Sequence, residues 1–313
     1  MNQEPTLVLD HTRCAAIDAE IAPEWLLTNG VGGYAMGNVS GTLDRRYHGL
    51  LIAPAFPPLG RQLVFVKADA AVLHDDGSEL PLHSNRWGDG VIAPRGHKQI
   101  VYFALDRHLP VWHYRVDGQL LEHRIWMTHG RNQTSLGFRL PGGAAAKPIR
   151  LRIGLIASFR DHHAVNGHPG PVLEREIRDD RLVIRLPNGQ TVQVAATDGD
   201  FTIDHDWIEN FYLRTEDERG LETIDRHPRV GWLEMTVTPG PWHGLVIAFN
   251  DEPDTALEAA LANELRRMQR LTEDALPGIE NDAVPGWVRQ LAIASDSYLF
   301  TRQEPDGTAH ESV

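Results

Sequence analysis

Between about residue 50 and residue 250, apolar and polar side chains alternate with a period of two. Turn-forming residues break the alternation at short intervals, which is the pattern of half-buried antiparallel strands. The segments 62–66 and 71–74, the turn Asp75-Asp76-Gly77-Ser78 and the segment 79–82 read as one hairpin, with Asp-Gly supplying the positive φ of a tight turn. A second hairpin joins 111–116 to 119–126 through Asp117-Gly118, and a third joins 181–186 to 190–195 through Pro187-Asn188-Gly189. Further strands are predicted at 134–140, 149–158, 231–238 and 242–250. A dozen or more short-spaced strands suit a large antiparallel sandwich better than a small barrel.

After Asn250 the period changes. Leu257, Leu261, Leu265, Met268 and Leu271 recur every three or four positions, and Thr255 with Glu258 forms a capping-box signature, predicting a helix over 255–273. Pro277, Gly278, Pro285 and Gly286 bracket a linker. Val288, Leu291, Ala292, Ser295 and Leu299 then fall on one face of a predicted helix over 286–302. The remaining chain is polar and turn-rich and offers that face no partner helix, so the sequence reads as an interrupted protein. Neither a 20–50-residue repeat nor a low-complexity tract is present.

Composition narrows the function. A 313-residue chain, 42% apolar, is long enough for a well-buried core. Its formal charge of −13 opposes nucleic acid or an anionic membrane as partner and leaves neutral ligands unhindered. A single cysteine, Cys14, permits no internal disulfide, which with the lack of an N-terminal export pattern favours the cytoplasm. No window is apolar enough for a membrane span. Cys14 has no activating base near it in sequence and reads as a small buried residue.

The polar chemistry collects around the glycine-rich stretch 28–41 and the Asp-Arg-Arg-Tyr-His run that follows it. A phosphate loop is excluded, because no Gly-Lys-Ser/Thr occurs and the glycines open no helix after a strand. A plain loop entering a strand at Leu50 accounts for the glycines but not for Arg45, Arg46, Tyr47 and His48, which are costly to bury without partners. Sugar recognition needs forked or planar polar groups and flat rings. Asn29, Arg45, Arg46 and His48 supply the first, Trp25, Tyr34 and Tyr47 the second. The alternative is that these groups pin the domain against a neighbouring one, and the two roles can coexist.

The run Glu24-Trp25-Leu26-Leu27-Thr28-Asn29-Gly30-Val31-Gly32-Gly33-Tyr34, with Arg45-Arg46-Tyr47-His48-Gly49-Leu50-Leu51 and Pro57-Pro58-Leu59-Gly60-Arg61, resembles the N-terminal domain of bacterial and archaeal-type glycogen debranching enzymes. Phe159-Arg160-Asp161-His162-His163, and 212–216 with Arg219-Gly220-Leu221, resemble two later motifs of that domain. The resemblance implies an all-β fold, a large antiparallel β-supersandwich of mutarotase-like type. Linker helices would lead from it to a helical (α/α)6 barrel that this sequence lacks and that carries the catalytic acids for α-1,6-glucosidic hydrolysis. The expected organisation is a glucan-recognition sandwich over 1–252, a helical linker over 253–284 and the start of a truncated barrel over 285–313. Where relatives place two acids and Pro-Gly, this chain has Ile224-Asp225 and His227-Pro228-Arg229, which puts the role of that loop in doubt.

The candidate binding residues are therefore Trp25, Asn29, Tyr34, Arg45, Arg46, Tyr47, His48, Arg160, His162, Glu216 and Arg219, with no catalytic pair, cofactor or metal expected. Arg160 and His162 read as hydrogen-bonding groups at a cleft, and Glu216 with Arg219 as a paired strut. The run 214–219 otherwise reads as a solvated loop. His162, His163 and His168 with Asp161 suggest a metal site, but adjacent histidines on a strand point to opposite faces. Most tryptophans lie in strand-like segments and read as core. Expected partners are an α-glucan and the chain's own barrel. The competing readings are a stand-alone mutarotase-like epimerase using a histidine and a carboxylate, and a purely structural module.

Overall fold

The computed structural model describes residues 7–16, 23–56, 60–142, 146–277, 284–303 and 308–312. Pro57, Pro58, Leu59, Gly278 and, in the polar tail, residues 304–307 and Val313 lie outside them.

The fold is all-β, as the alternation predicts. Two nine-stranded sheets carry it, and every pairing within them is antiparallel. The first runs, edge to edge, through Leu7–Asp10, Ile100–Asp106, Leu109–Val116, Gln119–Met127, Gln133–Arg139, His243–Phe249, Thr191–Ala196, Arg181–Arg185 and Glu174–Arg178. The second runs through Asp200–Ile203, Ile224–Val237, Ile149–Asp161, Gly60–Leu73, Gly49–Phe56, Tyr34–Asn38 and Glu24–Thr28, with Trp207–Tyr212 and Glu79–Pro81 added at its flanks.

The three predicted hairpin turns form where their residues allow. Asp117 and Gly118 both adopt positive φ, 48° and 79°, as a two-residue hairpin loop requires. Leu51, Phe65, Leu151, Ile153 and Leu155 from the second sheet meet Trp112, Leu121, Trp126, Leu136, Leu245 and Ile247 from the first in one buried cluster. Cys14 is buried with them, and burial pushes its thiol up to about 11.

The second sheet is covered on both faces in its middle, so Gly60–Leu73 reads as a nearly continuous buried run instead of a clean alternation. Its outer side carries a smaller core of Leu43, Ile52, Leu63, Val66, Ile156, Phe211 and Leu213. The cover comes from the Trp207–Tyr212 strand and the short Arg214–Glu218 helix. The run 214–219 is thus a helical turn with Glu216 fully buried, not a solvated loop. Between Ile156 and Arg160 the Ile149–Asp161 strand slips register against Gly60–Leu73, and such bulges re-aim side chains. The polar cluster lies at that end.

The helix over Leu257–Ala275 forms, but its capping box does not. Ala256 is the N-cap, and its amide donates instead to Asp254 Oδ1 at 3.0 Å. The following helix stops at Asp296, short of the predicted end, and an antiparallel hairpin of Phe300–Gln303 and Ala309–Ser312 takes over. Its packing face also differs from the predicted one. Ile293 is buried, while Leu291 and Leu299 are exposed. Among the described residues no helix is long and apolar enough to cross a membrane.

Candidate functional site

Glu24 and Trp25 are neighbours on one strand and so point to opposite faces. Trp25 turns inward, edge-on to Trp112 at 5.9 Å, and lines a cavity of about 100 Å³ between the sheets together with Met36, Lys67 and His123. Of the other candidates, His48 also lines this cavity. Glu24 turns outward to receive Arg45 Nε at 2.5 Å and His48 Nε2 at 3.1 Å. The Asp44 amide can only donate, so His48 Nδ1 accepts from it at 3.1 Å and the ring proton sits on Nε2, facing Glu24. Burial pushes the Glu24 carboxyl up, but the hydrogen bonds from His48 and Arg45 outweigh it and hold the group below its ordinary range.

Asn29 explains the glycines. Its Oδ1 accepts from the amides of Val31 at 3.0 Å and Gly33 at 2.9 Å, while its Nδ2 donates to Arg131 O and Asn132 Oδ1. The side chain is fully buried and holds the turn shut. Gly30 and Gly32 take φ of 72° and 85°, which other residues adopt only at a cost. The loop is clamped from outside by Arg61 Nε on Gly32 O at 2.7 Å and by the Thr301 amide on Gly30 O at 2.8 Å.

Two buried ion pairs form the floor of the cluster. Arg46 pairs with Glu216 at 3.5 Å, and Glu216 also accepts from the Arg46 amide and from Arg219 Nη1 at 3.3 Å. Arg160 pairs with Asp225 at 2.9 Å, and its other nitrogen–hydrogens reach Arg46 O at 2.7 Å and Asp161 O at 3.0 Å. Asp225 further accepts from the amides of Asn166 and Arg226, with His227 Nε2 3.1 Å away. Burial alone would raise that carboxyl. His227, Arg160 and the Asn166 amide hold it well below the usual carboxylate range. Asp225, whose loop the sequence leaves in doubt, is therefore central to the cluster.

Above this floor stand four rings. Tyr34 Oη lies 2.9 Å from His162 Nδ1 and Tyr47 Oη 3.0 Å from His163 Nδ1, with Tyr47 packed edge-on against both histidines. Arg46 Nη1 donates to His163 O. Strand pairing ends at Asp161, and His162 and His163 occupy the turn after it. The two imidazoles consequently sit side by side, 4.0 Å between centroids, instead of on opposite faces of a strand. His168 lies away from them, against Arg226.

The structure thus gathers Tyr34, Arg46, Tyr47, Arg160, His162, Glu216 and Arg219, with Arg45 and His48 tied to Glu24 beside them. Asn29 serves the loop and Trp25 the inter-sheet cavity. Asp225, Asn166 and His227 belong to the floor without being among the predicted candidates. No local signal in the sequence singles out Asp225, because its pairing with Arg160 spans 65 residues of chain. Tyr47 is half-buried, while His163 and Asp161 are exposed. These, with Arg61, form the reachable surface.

His162 is held neutral, at about 4, mainly by burial and by the adjacent His163. His123, stacked between Trp112 and Phe138, is likewise lowered to about 4 by burial. Both folded values lie below the ordinary 6.5, so the unfolded chain takes up these protons first. The stability they allow is complete above about pH 6.5 and drains away as the pH falls towards 4. His123 accounts for up to about 3 kcal/mol, and His162 for a smaller, solvent-screened amount. Urea unfolding at stepped pH should show this loss, and His123→Phe should make it shallower. An unchanged unfolding free energy between pH 6.5 and 4.5 would contradict the assignment.

No curated protein sequence matches the chain. Among solved structures it is similar to a bacterial glucoamylase complexed with acarbose, at 10% identity and a TM-score of 0.35, over 90% of this chain and 39% of that one. The chain thus spans well under half of that protein's length, and so loose a likeness carries nothing further. The sequence profile described as "Glycogen debranching enzyme N terminal" matches residues 23–243, a span that contains every residue of the floor, the rings and the glycine loop. The chain belongs to the glycogen debranching enzyme N-terminal family.

Proposed function

We propose that this domain recognises α-glucan for a glycogen debranching enzyme, forming one wall of the cleft in which α-1,6 branch points are hydrolysed, and that it has no hydrolytic activity alone. The carrying observation is the reachable rim of Tyr47, His163, Asp161 and Arg61, braced from beneath by the Arg46–Glu216 and Arg160–Asp225 pairs. A braced rim of rings and forked donors suits an uncharged polyol, since its groups hold their positions without the ligand's help. The domain organisation in which a sandwich over 1–252 leads through helices over 253–284 to a catalytic barrel is part of the same proposal.

Two measurements test it. Mobility in native gels containing glycogen should be retarded for the wild-type chain and restored in Tyr47→Ala. Incubation with a debranching limit dextrin should release no glucose. Equal mobility with and without glycogen sinks the recognition claim, and sustained glucose release sinks the claim of inactivity.

A second reading has its own support. Asn29, His48 and Glu216 are buried and held by neighbouring groups of this chain, Asn29 by its own loop, His48 by Asp44 and Glu24, and Glu216 by Arg46, as befits a module that only braces a neighbouring domain. On that reading glycogen leaves the mobility unchanged in wild type and variant alike.

A further inference from the structure

One ligand atom from each of Asp161, His162 and His163 lies within 4.8 Å of the other two. Three features of this group are ones that a metal site needs. First, the Nδ1 of each histidine is engaged by a tyrosine hydroxyl, Tyr34 for His162 and Tyr47 for His163. Metal-binding imidazoles characteristically have the second ring nitrogen held in this way, which fixes the ring's orientation and leaves Nε2 as the free nitrogen. Second, Asp161 Oδ1 accepts the His163 amide at 2.8 Å, so the carboxylate is anchored by one oxygen and has the other to offer. Third, the nearby guanidinium of Arg160 is already neutralised by Asp225, which leaves the Asp161 charge available to a cation.

We propose that Asp161, His162 and His163 form a binding site for one divalent transition-metal ion of the zinc class. Two imidazoles and a carboxylate are a ligand set that such ions accept, with a fourth position open to water or to a ligand hydroxyl. At bond lengths of about 2.0–2.2 Å, tetrahedral ligands stand roughly 3.4 Å apart. Closing the group from its present spacing requires side-chain rotation of about an ångström, which the exposed Asp161 and His163 can supply. The inference does not rest on the glucan reading, and its test contains no sugar.

The test is a titration of the chelator-treated full chain with Zn²⁺ alone, in competition with a chromophoric chelator, followed by Co²⁺ substitution. The expected result is saturable uptake of one ion per chain and visible Co²⁺ bands of four- or five-coordinate nitrogen and oxygen ligation. His163→Ala and Asp161→Asn should weaken Zn²⁺ binding by more than about tenfold. Tyr47→Phe, which removes only the hydroxyl behind His163, should weaken it by about 10–100-fold while keeping the Co²⁺ bands. His168→Ala should change nothing. Circular dichroism of each variant separates lost ligation from lost fold, and the wild-type Co²⁺ spectrum decides the question if His162→Ala does not fold. Absence of saturable uptake, uptake unaffected by His163→Ala, or a Co²⁺ spectrum identical to that of the hexaaqua ion would overturn the proposal.

Discussion

Asp225→Ala is expected to cost about 3–5 kcal/mol of folding stability, because it strips a buried guanidinium of its counter-charge. Asp225 and Arg160 are 1% and 7% exposed, so water cannot replace the lost carboxylate. The substitution also removes the acceptor for the Arg226 amide and for the Asn166 amide, which ties the crossing from 161 to 168 onto the Ile224–Val237 strand. The pair itself need not be worth that much. Replacing both partners with apolar residues of similar size, as in Arg160→Met with Asp225→Leu, should recover most of the loss, since a buried ion pair gains little over good packing. Urea unfolding of the two single variants and the double variant measures the difference. A single-variant cost below about 1 kcal/mol would mean that Arg160 finds water or another carboxylate. The wild-type carboxylate keeps its contribution above its unfolded value of 3.8 and loses it only as the pH falls below that, so the comparison is best made near neutrality.

Gly33→Ala is expected to be the second most damaging change, at about 2–4 kcal/mol. A Cβ at this position would lie 2.6 Å from Asn29 Nδ2, 2.7 Å from Asn132 Oδ1 and 3.1 Å from the Ile52 carbonyl. It would wedge into the 2.8 Å hydrogen bond between the two asparagines, and the third contact is backbone that cannot yield. Overpacking of this kind costs about 1–3 kcal/mol, and a buried amide left without its partner adds roughly as much again. Gly77→Ala is the control. That glycine has a positive φ of 82°, which Gly33 lacks, but nothing lies within 4 Å of its Cβ direction, so only the local strain of about 1 kcal/mol should appear. Thermal melts of both variants rank the effects, and equal melting temperatures would contradict the close-approach account.

What could be read from the chain and what could not divide along physical lines. The hairpins at 74–78, 117–118 and 187–189 were legible because each depends on a few adjacent residues whose backbone preferences are strong. The strand Gly60–Leu73 was legible only in pieces, because it is covered on both faces and its alternation fades. The predicted helix over 286–302 is overextended because Leu299 continues its apolar period. The chain turns there to pair Phe300 with Ser312, a long-range contact that local period does not register. The cap moved from Thr255 to Ala256, whose amide is taken by Asp254, itself held by Gln133 of the Gln133–Arg139 strand.

The site shows the same division. The Arg-Arg-Tyr-His run and the Arg-Asp-His-His run each look polar and purposeful in sequence. That Arg160 donates to the backbone of Arg46, and Arg46 to the backbone of His163, depends on how the strands are arranged. Trp25 reads as a sugar platform because of its flat ring beside the glycine-rich stretch, yet strand geometry turns it inward against Trp112. Asp225 was undervalued because its surroundings depart from the family pattern, although burial beside Arg160 gives it a definite task. His162 and His163 were assigned to a strand that in fact ends one residue earlier.

The central claim is that the braced rim of Tyr47 and His163 contacts neutral α-glucan. It is tested most directly by saturation-transfer NMR with a maltooligosaccharide on chelator-treated wild type, Tyr47→Ala and His163→Ala, each with circular dichroism of the folded domain. The account predicts transfer to the sugar protons in the wild type and its loss in both variants. Transfer undiminished in the variants, or none from the folded wild type at millimolar sugar, would contradict it.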